Sequence, residues 1–155
     1  MDNLFMSRAI QLSIDNVESG QGGPFGALVV KDGSVVAEAV NQVTSNNDPT
    51  AHAEVMAIRE ACRKLGVFDL AGCELYTSCE PCPMCLGAIY WARLSHVYFA
   101  GGAADASAAG FDDSNIYREF ALSGAQRQIP MDQIMRNEAL AAFHAWVSKS
   151  GKIAY

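Results

Sequence analysis

Cysteine and histidine residues able to bind a transition metal gather in two short segments of this 155-residue chain. Cys82 and Cys85 are three residues apart, so both sulfurs would lie on one side of the first turn of a helix. The N-terminus of a helix favours thiolate over thiol through its dipole and its free N–H groups. Because zinc binds deprotonated sulfur, this spacing predicts two ligands of a zinc site.

His52 offers a third ligand, and Glu54 follows it two residues later. Residues i and i+2 point apart within a regular helix, so both can reach one site only if His52 lies in an irregular first turn. Three protein ligands leave a fourth tetrahedral position for water, whose proton the Glu54 carboxylate can take. The pattern His-x-Glu followed by Pro-Cys-x-x-Cys is the signature of zinc-dependent nucleobase deaminases.

Other interpretations of the cysteines stay open. A Cys-x-x-Cys segment after a strand could be a redox pair, which would leave His52 and Glu54 without a role. The spacing of Cys79, Cys82 and Cys85 resembles the start of an iron–sulfur run, but no fourth cysteine follows. The non-enzyme alternative is a closed structural zinc site, in which Cys79 joins the other three ligands.

Helices and strands alternate around these segments. Met6, Ile10, Ile14 and Val17 recur at helical spacing and predict a first helix over residues 3–19. Two valine-rich runs, 25–30 and 35–40, flank Asp32-Gly33 and predict a β-hairpin. A polar loop is predicted at 41–47, followed by a helix that opens at Asp48-Pro49 and ends at Gly66. Two further strands are predicted at 74–78 and 97–100. Three further helices are predicted at 82–91, near 114–122 and around Leu140, Phe143 and Val147. Residues 101–110 carry no clear pattern.

Composition narrows the class of protein. Half of the residues are hydrophobic, and 11 basic against 17 acidic residues give a net charge of −6, which argues against a nucleic-acid partner. No run approaches the roughly 18 apolar residues of a membrane span, and the first ten residues lack a signal-peptide core. A cytoplasmic protein with reduced cysteines is therefore expected. The length is that of one domain, residues 1–155.

The chain resembles the cytidine-deaminase superfamily and, within it, the small bacterial guanine deaminases. The segments His52-Ala53-Glu54 and Pro81-Cys82-Pro83-Met84-Cys85 carry the superfamily's zinc-site motifs. These motifs do not select the substrate, because tRNA adenosine deaminases and cytosine deaminases share them. Narrower likenesses to the guanine deaminases lie at 22–27, at 90–93, at 110–114 and in the final aromatic residue, Tyr155.

The resemblance implies an α/β fold, a three-layer α/β/α sandwich around a mixed five-stranded sheet. It also implies a homodimer that exchanges its C-terminal segment, about residues 130–155, between subunits. One Zn²⁺ per chain would be held by His52, Cys82 and Cys85. The implied catalytic residues are Glu54 and Asp113. The implied substrate contacts are Phe25, Asn41, Ala53, Trp91, Asp113 and Tyr155.

The activity implied by the resemblance is hydrolytic deamination of guanine to xanthine and ammonia by a zinc-activated water. The amide of Asn41 and the carboxylate of Asp113 would together offer the donor and acceptor that the guanine edge requires. Two further activities stay open, deamination of guanosine and deamination of adenosine in tRNA. The basic C-terminal helix expected of tRNA-editing relatives is not found here.

Overall fold

The computed structural model describes residues 3–154, which fold as two compact units that adjoin in sequence between Asp113 and Ser114. The first unit contains α1 (Leu4–Glu18), β1 (Gly26–Lys31), β2 (Ser34–Val40), α2 (Val43–Asn46), α3 (Ala53–Leu65), β3 (Cys73–Cys79), α4 (Pro83–Trp91), β4 (His96–Gly101) and α5 (Ala103–Ala108). The second contains α6 (Ser114–Phe120), a 3₁₀ turn (Gly124–Gln126) and α7 (Arg136–Ser148).

The strands form one mixed sheet in the order β2-β1-β3-β4. Strand β1 runs antiparallel to both β2 and β3, whereas β3 and β4 are parallel. The predicted hairpin is confirmed. Its turn places Asp32 and Gly33 at φ angles of 49° and 72°, the left-handed pair that matches the twist of the flanking strands.

Helices cover both faces of this sheet within the first unit, which confirms the three predicted layers there. Alternate residues of a strand point to opposite faces. Ala27 and Val29 of β1 belong to a core cluster that includes residues of α3 and α4. Leu28 and Val30 instead belong to a second cluster with Ala9 of α1.

The prediction of five strands is wrong for residues 3–154, which form four. The chain after β4 enters the short helix α5, which occupies part of the stretch at 101–110 that the sequence left without a pattern. The later segment at 128–131 contains Pro130, which has no N–H for a ladder hydrogen bond. The neighbouring N–H of Gln128 is already used, because it donates to the Glu119 carboxylate over 2.7 Å.

The buried face of α1 also differs from the prediction. Met6 packs against the core, but most of the predicted apolar face is exposed, namely Ile10, Ile14 and Val17. The buried residues are small or polar, namely Ala9, Ser13 and Asn16. The reason is a close approach of α1 to the sheet: a Cβ on Gly26 would lie only 2.5 Å from the Ala9 carbonyl oxygen. Large side chains cannot fit between backbones at that distance.

The predicted start of α3 is wrong by several residues. Asp48 does not cap the helix, because its carboxylate accepts hydrogen bonds from the backbone N–H and the hydroxyl of Thr50, over 2.8 and 2.7 Å. This turn delays the helix, which begins at Ala53 with His52 as its N-cap. The predicted loop at 41–47 includes the short helix α2. The end of α3 at Gly66 is confirmed, with a left-handed φ of 68°.

The two predicted helices of the second unit are confirmed as α6 and α7. Neither helix contains a buried residue. No helix within residues 3–154 is both long enough and apolar enough to cross a lipid bilayer.

Candidate active site

Two helix N-termini meet where β3 ends. His52 is the N-cap of α3 and Cys82 is the N-cap of α4, and both residues have extended backbone conformations. Cys85 lies in the first turn of α4, behind a proline at the first helical position, where no backbone N–H is needed. Because an N-cap residue stands outside the regular helix, the His52 side chain can share a site with Glu54.

The three predicted ligands converge. Nδ1 of His52 lies 3.5 Å from Sγ of Cys82 and 3.5 Å from Sγ of Cys85. One ligand atom from each residue can be chosen so that all three lie within 4.8 Å of one another. One imidazole nitrogen and two sulfurs form a donor set that suits tetrahedral zinc and leaves one position open.

The pKa values of these groups show one thiolate paired with the imidazole. Hydrogen bonds from Cys85 and His52 hold the pKa of Cys82 at about 4 despite its partial burial. The hydrogen bond to Cys82, followed by burial, raises the pKa of the Cys85 thiol. The same thiolate, Cys82, raises the pKa of His52. A metal ion that binds here must therefore displace a proton from Cys85.

Cys79 stands apart from this cluster. Its sulfur lies 3.8 Å from the carbonyl oxygen of Gly102, and burial raises the pKa of its thiol. Among residues 3–154 the metal-ligand cluster contains His52, Cys82 and Cys85 and does not include Cys79. The geometry therefore favours a three-ligand site over a closed four-ligand site. The nearby imidazole also fits a metal site better than a simple redox pair.

Glu54 lies beside the ligands and is almost fully buried, with 5% of its surface exposed. Its Oε2 is 3.4 Å from Sγ of Cys85, and its Oε1 accepts a hydrogen bond from the Thr77 hydroxyl over 3.4 Å. Burial raises the pKa of the Glu54 carboxyl. A carboxyl group with a raised pKa next to a metal site is suited to accept and return a proton.

Asn41 is held in a fixed orientation at the end of β2. Its Oδ1 accepts hydrogen bonds from the N–H groups of Gly23 and Val43, over 3.4 and 3.3 Å. These bonds occupy the oxygen, so Nδ2 is the group available to donate to a substrate. Asn16 of α1 fixes the same loop, since its Nδ2 donates to the carbonyl oxygens of Gly23 and Asn41.

The segment after α5 brings a carboxylate near the metal ligands. Desolvation raises the pKa of the Asp113 carboxyl group, and the negative charge of Cys82 raises it further. Asp112 is exposed.

Phe111 makes an edge-to-face contact with Phe25, with 5.0 Å between ring centroids. The predicted aromatic residue Phe25 is thus part of a pair.

The remaining predicted substrate contacts differ in their burial. Ala53 is buried at the first position of α3, next to His52. Trp91 is 69% exposed at the end of α4 opposite to its cysteines. Tyr155 lies outside the described residues.

Thr77, Asn16 and Phe111 contribute to the site although the sequence did not point to them. Thr77 could have been noticed as a hydroxyl on the side of β3 that carries Cys73 and Leu75. No pattern within α1 points to Asn16. Phe111 lies in the segment at 110–114 that resembles the guanine deaminases, but its ring partner, Phe25, is 86 positions earlier in the chain.

Comparison with known proteins places this site in a family. Residues 1–101 match the family model of the cytidine and deoxycytidylate deaminase zinc-binding region. The chain belongs to the cytidine and deoxycytidylate deaminase family. It is 54% identical over 151 residues to guanine deaminase of Bacillus subtilis (strain 168), with 97% of each chain covered.

Solved structures of family members agree with this relationship. An X-ray structure of guanine deaminase from Bacillus subtilis matches with a TM-score of 0.97 at 53% identity, covering 100% of this chain and 99% of that one. Guanine deaminase from Nitrosomonas europaea matches with a TM-score of 0.66 at 35% identity, over 70% of this chain and 63% of that one. A tRNA-specific adenosine deaminase of Aquifex aeolicus (strain VF5) is 49% identical over 77 residues, half of this chain.

The position of Cys79 outside the ligand cluster generates a test of the deaminase family's three-ligand site in this chain. We expect Cys79→Ser to retain about one zinc ion per chain, and Cys82→Ser to lose most of it, because Cys82 lies beside His52 whereas Cys79 lies beside Gly102. Elemental analysis after dialysis against a weak chelator measures both. Zinc loss from the Cys79 variant would show that Cys79 is a ligand and would restore the closed structural site.

Proposed function

We propose that this protein is a guanine deaminase, which hydrolyses guanine to xanthine and ammonia. The observation that carries the proposal is the 54% identity to guanine deaminase of Bacillus subtilis, which extends over 97% of the chain. The likeness to the tRNA-specific adenosine deaminase covers only half of it. The net charge of −6 also argues against a tRNA substrate.

The proposed cofactor is one zinc ion per chain, held by His52, Cys82 and Cys85. The support is the chemistry of the donor set, one nitrogen and two sulfurs that converge at two helix N-termini. When bound, zinc lowers the pKa of water at its open position and so supplies the nucleophile for hydrolysis.

In the proposed mechanism Glu54 moves the protons. Its buried carboxyl group accepts one proton from the attacking water and delivers it to the ring nitrogen, then accepts the remaining hydroxyl proton and delivers it to the leaving amine. Burial excludes bulk water, which would compete for these protons. The raised pKa of Glu54 helps it to return each proton it accepts.

Asn41 and Asp113 are the proposed groups that orient the base. The Asn41 amide presents Nδ2 as a donor because its oxygen is occupied. Asp113 offers a carboxylate on the side of Cys82, where it can hold the ring and assist the departure of ammonia. Phe25, Ala53, Trp91 and Tyr155 stay predicted contacts of the purine.

We also propose a cytoplasmic homodimer, in which each subunit is one functional domain and the segment of about residues 130–155 is exchanged. In support, one chain leaves the apolar residues Ile134, Phe143 and Val147 exposed, and a second copy could cover them.

Light scattering should then give twice the chain mass of 16.6 kDa. A mass of one chain at micromolar concentration would contradict the dimer.

Ammonia release from a panel of substrates tests the proposed function. We expect the zinc-loaded protein to deaminate guanine, with little activity on adenine, cytosine or tRNA. Guanine should exceed guanosine by at least about a hundredfold in kcat/KM, the scale expected when a pocket has no room for a ribose. A preference for guanosine would assign the protein to nucleosides instead, and ammonia from tRNA alone would overturn the proposal.

Glu54→Gln should abolish turnover while about one zinc ion per chain remains, because the residue transfers protons and is not a ligand. The expected loss in kcat is at least about 10²–10⁴-fold. The matched control is Glu60→Gln on the same helix, whose carboxylate forms a surface ion pair with Arg63. Loss of zinc from the Glu54 variant would instead make that residue a ligand.

Asp113→Ala should lower kcat/KM for guanine by about 10- to 100-fold, the range for a lost hydrogen bond to a charged group. The adjacent Asp112→Ala is the matched control and should change it less than about threefold, because Asp112 is exposed whereas Asp113 is partly buried. Steady-state kinetics measures both. Equal and mild effects would mean that this segment is a solvated acidic loop.

A further inference from the structure

We propose that Thr77 is a positioning residue, whose hydroxyl fixes one oxygen of Glu54 so that the other faces the reacting atoms. The inference rests on the proposed function, since it assigns Glu54 the proton transfers. Thr77 lies on β3, two residues before the end of the strand, and is distant in sequence from Glu54.

The two oxygens of Glu54 have different neighbours. Oε1 accepts the hydrogen bond of the Thr77 hydroxyl over 3.4 Å. Oε2 lies 3.4 Å from Sγ of Cys85 and therefore on the side of the proposed metal ligands. This division leaves Oε2 as the oxygen able to exchange a proton with water or substrate.

A carboxyl group without such a donor would turn more freely. The terminal torsion of glutamate is broad and roughly two-fold, so a half-turn exchanges its oxygens at little cost. If Oε2 carries the proton, that half-turn would move it away from the substrate. A donor at Oε1 restrains the plane of the group in both forms: it bonds to one of two equivalent oxygens of the carboxylate, and to the unprotonated oxygen of the acid.

The surroundings of Thr77 are largely apolar, so its hydroxyl needs a hydrogen-bond partner. Thr77 is 1% exposed, pairs with Ala27 of β1 and shares its side of β3 with Leu75 and Cys73. Burying a hydroxyl in such a row is unfavourable unless it forms a hydrogen bond. Within residues 3–154 the described hydrogen bond of this hydroxyl goes to Glu54. Valine has nearly the same shape, so packing alone would favour valine here.

The decisive comparison is between Thr77→Val, which removes the hydroxyl, and Thr77→Ser, which keeps it. We expect Thr77→Val to lower kcat by about 10- to 100-fold, the range for a lost hydrogen bond to a charged group, with KM changed less than about threefold. Its zinc content should be unchanged, and its Tm should fall by a few degrees, because one buried oxygen of Glu54 loses its donor. Thr77→Ser should keep kcat within about threefold of the parent enzyme despite the lost methyl group.

Three results would overturn the proposal. The first is an unchanged kcat in Thr77→Val. The second is an equal loss of kcat in both variants, which would indicate a packing role. The third is loss of zinc in Thr77→Val, which would make Thr77 a structural residue of the metal site.

A second measurement separates this inference from the proposed function. If the parent enzyme deaminates another base instead of guanine, the same kinetic comparison is made on that base. If it deaminates none, the proposed function fails, and crystal structures of the zinc-loaded parent and Thr77→Val proteins still decide the positioning. We expect the Glu54 carboxyl group to be turned or disordered in the variant. An identical, ordered carboxyl group would overturn the inference.

Discussion

The convergence of two helix N-termini is the constraint on which the rest of the site depends. His52 caps α3 and Cys82 caps α4, so both ligands stand just outside a regular helix and can turn toward one point. The same helix ends supply free N–H groups and positive partial charge, which favour thiolate sulfur. Hydrogen bonds from Cys85 and His52, which this convergence brings beside Cys82, hold the pKa of Cys82 at about 4.

The sheet fixes the distance between those helix ends. The core cluster between the sheet and its covering helices contains three alanines of α3, namely Ala53, Ala57 and Ala61. Small residues let the helix approach the strands closely and leave little freedom for its N-terminus to shift. Glu54 lies in the first turn of α3 and is buried beside the proposed ligands. There the Thr77 hydroxyl of the sheet donates a hydrogen bond to it. Burying polar groups this deeply lowers the stability of the fold. That loss of stability indicates that these groups have a role in chemistry.

The proposed substrate contacts and the proposed metal ligands come from different parts of the first unit. The proposed ligands lie at the starts of α3 and α4, whereas Asn41 follows β2 and Asp113 follows α5. Loops of this kind can change without disturbing the helix ends. This separation explains why the zinc-site motifs are shared by deaminases of unlike substrates, and why similarity over the whole chain carries more information about the substrate.

The sequence by itself determined the ligand types, their spacing and most of the alternation of helices and strands. A Cys-x-x-Cys turn, a His-x-Glu segment and an Asp-Gly hairpin depend on neighbours within a few residues, so local rules suffice. Local rules misplaced the start of α3, because the Asp48 side chain could cap a helix or close a turn and the choice depended on Thr50.

Only the tertiary structure decided how elements distant in sequence meet. Helical periodicity predicted an apolar buried face for α1, but the close approach at Gly26 selected small and polar residues instead. The contacts of Thr77 with Glu54 and of Asn16 with Asn41 join positions 23 and 25 residues apart. Such pairs depend on the register of strands and the packing of helices against them, which no short stretch of sequence specifies.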